Sequence, residues 1–204
     1  MRYDMVIFDL DGTILDDRKR HYECYKDIVD EYGGESVEFD EYWRMKRNKV
    51  SRQDLLLRTE FKGSDKQFLD SWVTRIEDKK YLKYQQLKPG VCEVLDYIKK
   101  EKRTIILMTM RKKDDNLYEQ ISEMGLMCYF DTIIIGKSTD ALKEKISVGS
   151  KVLVVGDTED DMLLARSIPA DFLAVTSGLR SEKYLKADYY IDEWRLDIVS
   201  QIIN

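Results

Sequence analysis

The sequence predicts an α/β protein: a doubly wound, Rossmann-like parallel sheet interrupted by an inserted helical domain. Three observations predict it. Residues 3–8, 104–109 and 151–155 are apolar runs of strand length without polar alternation, the pattern of strands buried on both faces. Helical periodicity separates the later runs, giving the strand–helix alternation of parallel sheets. After Thr13, by contrast, about seventy residues keep helical spacing with no strand among them.

The first run stops at Asp9-Leu10-Asp11-Gly12-Thr13. Its two acids project from the carboxyl end of a strand, where open α/β sheets place their ligands. Gly12 relaxes the backbone there, and Thr13 adds a hydroxyl able to donate to an anion. Two carboxylates this close require a compensating cation or a shared proton.

In the block that follows, Tyr22, Tyr25, Ile28, Val29 and Tyr32 recur at helical spacing until Gly33-Gly34 ends the helix. Ser51-Arg52-Gln53-Asp54 resembles a capping box before Leu55-Leu56-Leu57, and a longer helix is expected over 64–84. Leu87-Lys88-Pro89-Gly90 reads as a return hinge. The alternation then resumes with helix 91–102, strand 104–109, helix 114–124, strand 132–135, helix 139–146 and strand 151–155. Gly156-Asp157-Thr158-Glu159-Asp160-Asp161-Met162 carries that last strand into another helix. Strands near 172–175 and 189–191 and a closing helix from about 194 complete the chain. The domains read as 1–15 with 88–204, and 16–87.

If the three main strands are neighbours in one parallel sheet, Asp9, Asp11, Thr109, Asp157 and Asp161 converge on one crevice. A lysine would complete the set. Lys137 ends the run 132–135 and precedes a helix start at Thr139 or Asp140, with Lys143 and Lys145 as alternatives.

At 204 residues and 43% hydrophobic content, the chain has material for one good core and a second small one. A net charge of −5, with Lys and Arg scattered, leaves no nucleic-acid footprint. No apolar run reaches the ~20 residues that span a bilayer, and no signal segment precedes the first strand, so a cytoplasmic protein is expected. Cys24, Cys92 and Cys128 are far apart and set in apolar patterns, which reads as reduced, packed thiols.

The motifs Asp9-Leu10-Asp11-Gly12-Thr13, Thr109, a lysine, and Gly156-Asp157 with Asp161 resemble, in this order, the four motifs of the haloacid dehalogenase-like (HAD) hydrolase superfamily. The helical insertion between the first two is similar to the cap domain of the phosphoglycolate phosphatase and β-phosphoglucomutase branch. The lysine segment is shorter than the family pattern.

The resemblance implies a phosphatase acting on a small phosphorylated metabolite with Mg2+ as cofactor. Asp9 would be the nucleophile that becomes an aspartyl-phosphate. Asp11 would be the acid that protonates the leaving oxygen and later deprotonates water. Asp9, Asp157 and the Asp11 carbonyl would hold the metal, with Asp161 orienting a water on it. Thr109 and Lys137 would hold the non-bridging phosphoryl oxygens. An acid two residues after the nucleophile favours phosphate esters over dehalogenase or phosphonatase chemistry.

In the cap, Arg52 and His21, together with Thr13 in the core, resemble substrate-binding positions. They leave a sugar phosphomutase of the β-phosphoglucomutase type as the alternative. As a whole, the basic cluster Arg44, Lys46, Arg47, Lys49 and Arg52 reads as a solvated helix face rather than a grip for an acidic substrate, and Trp43, Trp72 and Trp194 as packing. One chain contains every named group, so a monomer suffices for catalysis. A receiver-type signalling domain is disfavoured by the helical insertion and the Gly-Asp-x-x-x-Asp cluster.

Overall fold

Residues 2–136 and 139–204 are described by the computed structural model. In chain order the elements are β1 (Met5–Phe8), β2 (Leu15–Asp16), α1 (Arg18–Glu31), α2 (Phe39–Arg47), α3 (Arg52–Leu57), α4 (Asp65–Arg75), α5 (Lys79–Leu82) and β3 (Gln86–Leu87). Then follow α6 (Val91–Lys100), β4 (Thr104–Thr109), α7 (Asp114–Glu123), β5 (Thr132–Ile135), α8 (Thr139–Lys143) and β6 (Val152–Gly156). The last are α9 (Glu159–Ser167), β7 (Ala170–Val175), β8 (Tyr189–Ile191) and α10 (Leu196–Ile203), with a short 3-10 turn at Glu182–Tyr184. Two units are distinct, Met1–Asp16 with Leu87–Asn204, and Asp17–Gln86.

The α/β unit is built on a six-stranded sheet in the order β5-β4-β1-β6-β7-β8, with every pairing parallel. Phe8 of β1 stands opposite Leu107 on one side and Val155 on the other. The carboxyl ends of these three strands are therefore level. β1 is also where the connectivity changes direction, toward β4 and β5 first and then toward β6, β7 and β8, so the crevice beyond it is a topological switch point.

Strand alternation divides the buried side chains between two cores. Val6, Phe8, Ile105, Leu107, Leu153 and Val155 face α6, α7 and α10. Met5, Ile7, Ile106, Met108, Val152 and Val154 face α8 and α9. Because both faces are covered, the strands show no polar alternation, as the apolar runs predicted. In α6, Val91, Val94, Leu95 and Ile98 repeat at helical spacing and are fully buried. Gly90 starts that helix at φ +81°, and a Cβ there would collide with the carbonyl of Trp194.

In the helical unit, α1 buries Cys24, Tyr25, Ile28 and Val29, and α2 buries Tyr42, Trp43 and Met45. The Tyr25 and Tyr42 rings stack at 4.4 Å. Ser51 caps α3 by accepting from the Asp54 amide at 3.0 Å. The single helix expected over 64–84 is two: a Ser64/Gln67 capping box starts α4, which ends at Arg75, and Asp78 takes an extended N-cap conformation that starts α5. An aspartate prefers that position to a helix interior, so the periodicity continues while the backbone breaks. Among the described residues, no helix is long and apolar enough to cross a membrane. The thiols are free; Cys24 is buried, whereas Cys128 is exposed and thus not packed as its apolar neighbours suggested.

Candidate active site

Asp9 follows β1 directly, and its amide donates to the Val155 carbonyl at 2.9 Å, extending the ladder one step past the strand. The chain then turns tightly. The Leu10 carbonyl accepts from Ile14 and Leu15 at 3.0 and 2.9 Å, while the Gly12 amide donates to Leu15 at 2.9 Å. Gly12 holds φ +85°, and a Cβ there would lie inside the Asp157 carboxylate. A glycine is thus needed at that position both for its backbone conformation and for the space it leaves.

Asp157 is fully buried one residue beyond β6. The Thr13 hydroxyl donates to its Oδ1 at 3.3 Å, and the Leu179 amide donates to its Oδ2 at 2.5 Å. Gly178, before Leu179, passes so close that a Cβ there would also overlap this carboxylate. Asp161 lies in the first turn of α9. Its Oδ2 accepts from the Thr158 amide and hydroxyl at 3.0 and 2.6 Å, while the Thr158 hydroxyl accepts from the Asp161 amide at 3.4 Å. This capping box satisfies two orphan helix donors and fixes the carboxylate's direction.

One carboxylate oxygen each from Asp9, Asp157 and Asp161 falls within a 4.8 Å span. Burial, followed by the charges of Asp161, Asp157 and Asp11, pushes the Asp9 carboxyl well above the usual carboxylate range. Three acids this close form an all-oxygen donor set whose repulsion a hard divalent cation relieves, so these residues can hold a metal. Thr109, the last residue of β4, is buried and lines a crevice with Asp9, Met110 and Asp161.

The Asp11 side chain takes a different partner. Arg111 donates from Nε to Asp11 Oδ2 at 2.9 Å and from Nη2 to Oδ1 at 2.6 Å, and its Nη1 donates to Gln120 Oε1 at 2.6 Å. Sequence reading missed Arg111, Gln120, Gly178 and Leu179. Arg111 sits in Met110-Arg111-Lys112-Lys113, which has the composition of a solvated loop. The only available signal for Gly178 was a glycine after a buried strand, in Thr176-Ser177-Gly178.

Lys137 lies outside the described residues. Of its alternatives, Lys143 ends α8 and Lys145 follows it, both exposed. His21 and Arg52 belong to the helical unit. His21 sits between the Trp43 and Trp72 rings at 6.2 and 5.3 Å, with Nε2 3.2 Å from Asp17 Oδ2. Burial lowers its pKa, with Asp17 opposing. Arg52 donates twice to Asp65, at 2.5 and 2.6 Å.

The profile of the haloacid dehalogenase-like hydrolases matches residues 6–175. A phosphorylated carbohydrates phosphatase of Thermotoga maritima is 25% identical over 178 residues, covering 80% of this chain and 81% of that one. A haloacid dehalogenase-like family hydrolase from Streptococcus pneumoniae superposes with a TM-score of 0.77 at 19% identity, over 98% of each chain. A subfamily IA HAD-superfamily hydrolase from Geobacter sulfurreducens gives 0.71 at 18% identity, over 99% of this chain and 97% of that one. At these identities the two superpositions speak to the fold.

Proposed function

The chain belongs to the haloacid dehalogenase-like hydrolase family, and we propose that within it the protein is a magnesium-dependent phosphatase hydrolysing a small-molecule phosphate monoester. The observation that carries this reading is the convergence within 4.8 Å of Asp9 and Asp157, at the ends of adjacent strands, and Asp161, in the first turn of α9. The phosphorylated-carbohydrate activity in the name of the Thermotoga maritima relative supports the substrate class.

In this mechanism an Asp9 oxygen attacks phosphorus as the P–O bond to the substrate breaks, leaving an aspartyl-phosphate. Asp11 gives its proton to the departing oxygen. Water then attacks the phosphorus, Asp11 takes the water's proton, and Asp9 leaves as a carboxylate with release of phosphate. Thr109 and a lysine, Lys137 or one of its alternatives, hold the non-bridging oxygens. Asp157 is kept in place by Thr13 and Leu179, and Asp161 by its capping box. When bound by Asp9, Asp157 and the Asp11 carbonyl, magnesium would neutralise phosphoryl charge.

A phosphomutase is the second reading, prompted by His21 and Arg52 in the cap. The bidentate Arg52–Asp65 pair weighs against it, because a guanidinium so engaged must first be released to grip a remote anion. The test is phosphate release from sugar phosphates, nucleotides and phosphoglycolate, with and without magnesium, beside Asp9→Asn. Magnesium-dependent release that is lost in Asp9→Asn supports the hydrolase. Turnover only after priming with a sugar bisphosphate, without phosphate release, would overturn it in favour of the mutase.

A further inference from the structure

Arg111 keeps only 3% of its side-chain surface, whereas its partner Asp11 keeps 19%. The guanidinium is therefore the buried support and the carboxylate the accessible end. A buried arginine is costly unless its donors are matched. Here two of them meet both oxygens of Asp11 and a third meets Gln120, itself buried in α7. The Arg111 amide also donates to the Thr109 hydroxyl at 3.4 Å. One residue thus links the turn after β1, the end of β4, and α7.

A guanidinium fork defines the plane of a carboxylate as well as its direction, which a single point charge does not. A carboxylate oxygen has two lone pairs, so accepting from the fork does not by itself exclude a proton at the same atom. From this geometry we infer that Arg111, seated by Gln120, is the positioning residue for the Asp11 carboxylate. The inference rests on the proposed reading in which Asp11 exchanges a proton with the leaving oxygen. Removing the fork leaves the acid present but misdirected. The damage is greatest where departure requires a proton.

That requirement differs between substrates. An alkoxide leaves only if protonated, whereas p-nitrophenolate leaves without help, and kcat/KM reports the transfer of phosphorus to Asp9 without the later attack by water. Arg111→Met should lower kcat/KM for an alkyl phosphate about 100-fold and for p-nitrophenyl phosphate less than about 10-fold. Arg111→Lys, which keeps the charge but not the fork, should follow Arg111→Met. Gln120→Met should shift the ratio of the two esters in the same direction by a smaller factor. In an Asp11→Asn background, Arg111→Met should cost nothing further.

Equal losses on the two esters would make Arg111 a phosphate ligand or a purely structural residue and overturn the inference. Full activity in Arg111→Lys would also overturn it. Should Arg111→Met not fold, the lysine and Gln120 variants decide the question. Failure of the phosphatase reading would look different, as release that persists in Asp9→Asn.

Discussion

The indole Nε1 of Trp194 donates to the backbone carbonyl of Thr13 at 3.0 Å, joining the turn that carries the acids to a segment 181 residues away. The Trp194 ring lies 5.9 Å from the Phe8 ring, and its carbonyl lies against Gly90. Trp194→Phe would keep most of the packing while leaving the buried Thr13 carbonyl unpaired. The expected loss is about 1–3 kcal/mol of stability by urea unfolding. A loss near zero would mean that the bond contributes only shape.

Asp9 makes stability depend on pH. Its carboxyl binds a proton more tightly folded than unfolded, so its contribution is fully present below the unfolded value of about 4 and is lost as pH rises through the raised folded value. Metal-free protein should therefore lose stability relative to Asp9→Asn as pH rises above about 4, and magnesium should restore part of it. Thermal unfolding in chelator checks this. A difference between wild type and Asp9→Asn that stays constant as pH rises would contradict it.

Gly178→Ala tests the space around Asp157. A Cβ there must displace the carboxylate that Thr13 and Leu179 orient. The magnesium concentration for half-maximal activity should rise about tenfold or more. Leu179→Ala, which keeps the donating amide, should leave that concentration unchanged.

His21 is the only histidine, so its titration can be followed without assignment by the imidazole proton resonances. Burial, partly opposed by Asp17, should bring the midpoint below 6.5. With a lowered folded value, its contribution to stability is present above about 6.5 and lost as pH falls through the folded value. A midpoint above 6.5 would show that Asp17 outweighs burial.

The sheet was legible because buried strands leave uninterrupted apolar runs, and the acids were legible because they stand where those runs end. The partners that orient them were not. Leu179 reaches Asp157 across 22 residues, and Arg111 reaches Asp11 across 100; these distances are determined by strand register, which local spacing does not encode. Arg111 in particular looks solvent-facing by composition and is buried in the fold. The break at Asp78 was hidden for a local reason: helical periodicity runs through it while the backbone does not.

The strand order also has a consequence for synthesis on the ribosome. It delays the pairing of β1, because one neighbour, β4, begins at Thr104 and the other, β6, at Val152. The nascent Met5–Phe8 segment thus stays an unpaired apolar strand while the helical unit, complete by Gln86, is made. Every residue from Asp9 to Lys151 must be made before that strand is flanked on both edges. Until then its open edges and apolar side chains are exposed to misassociation, the kind of short extended stretch that chaperones bind.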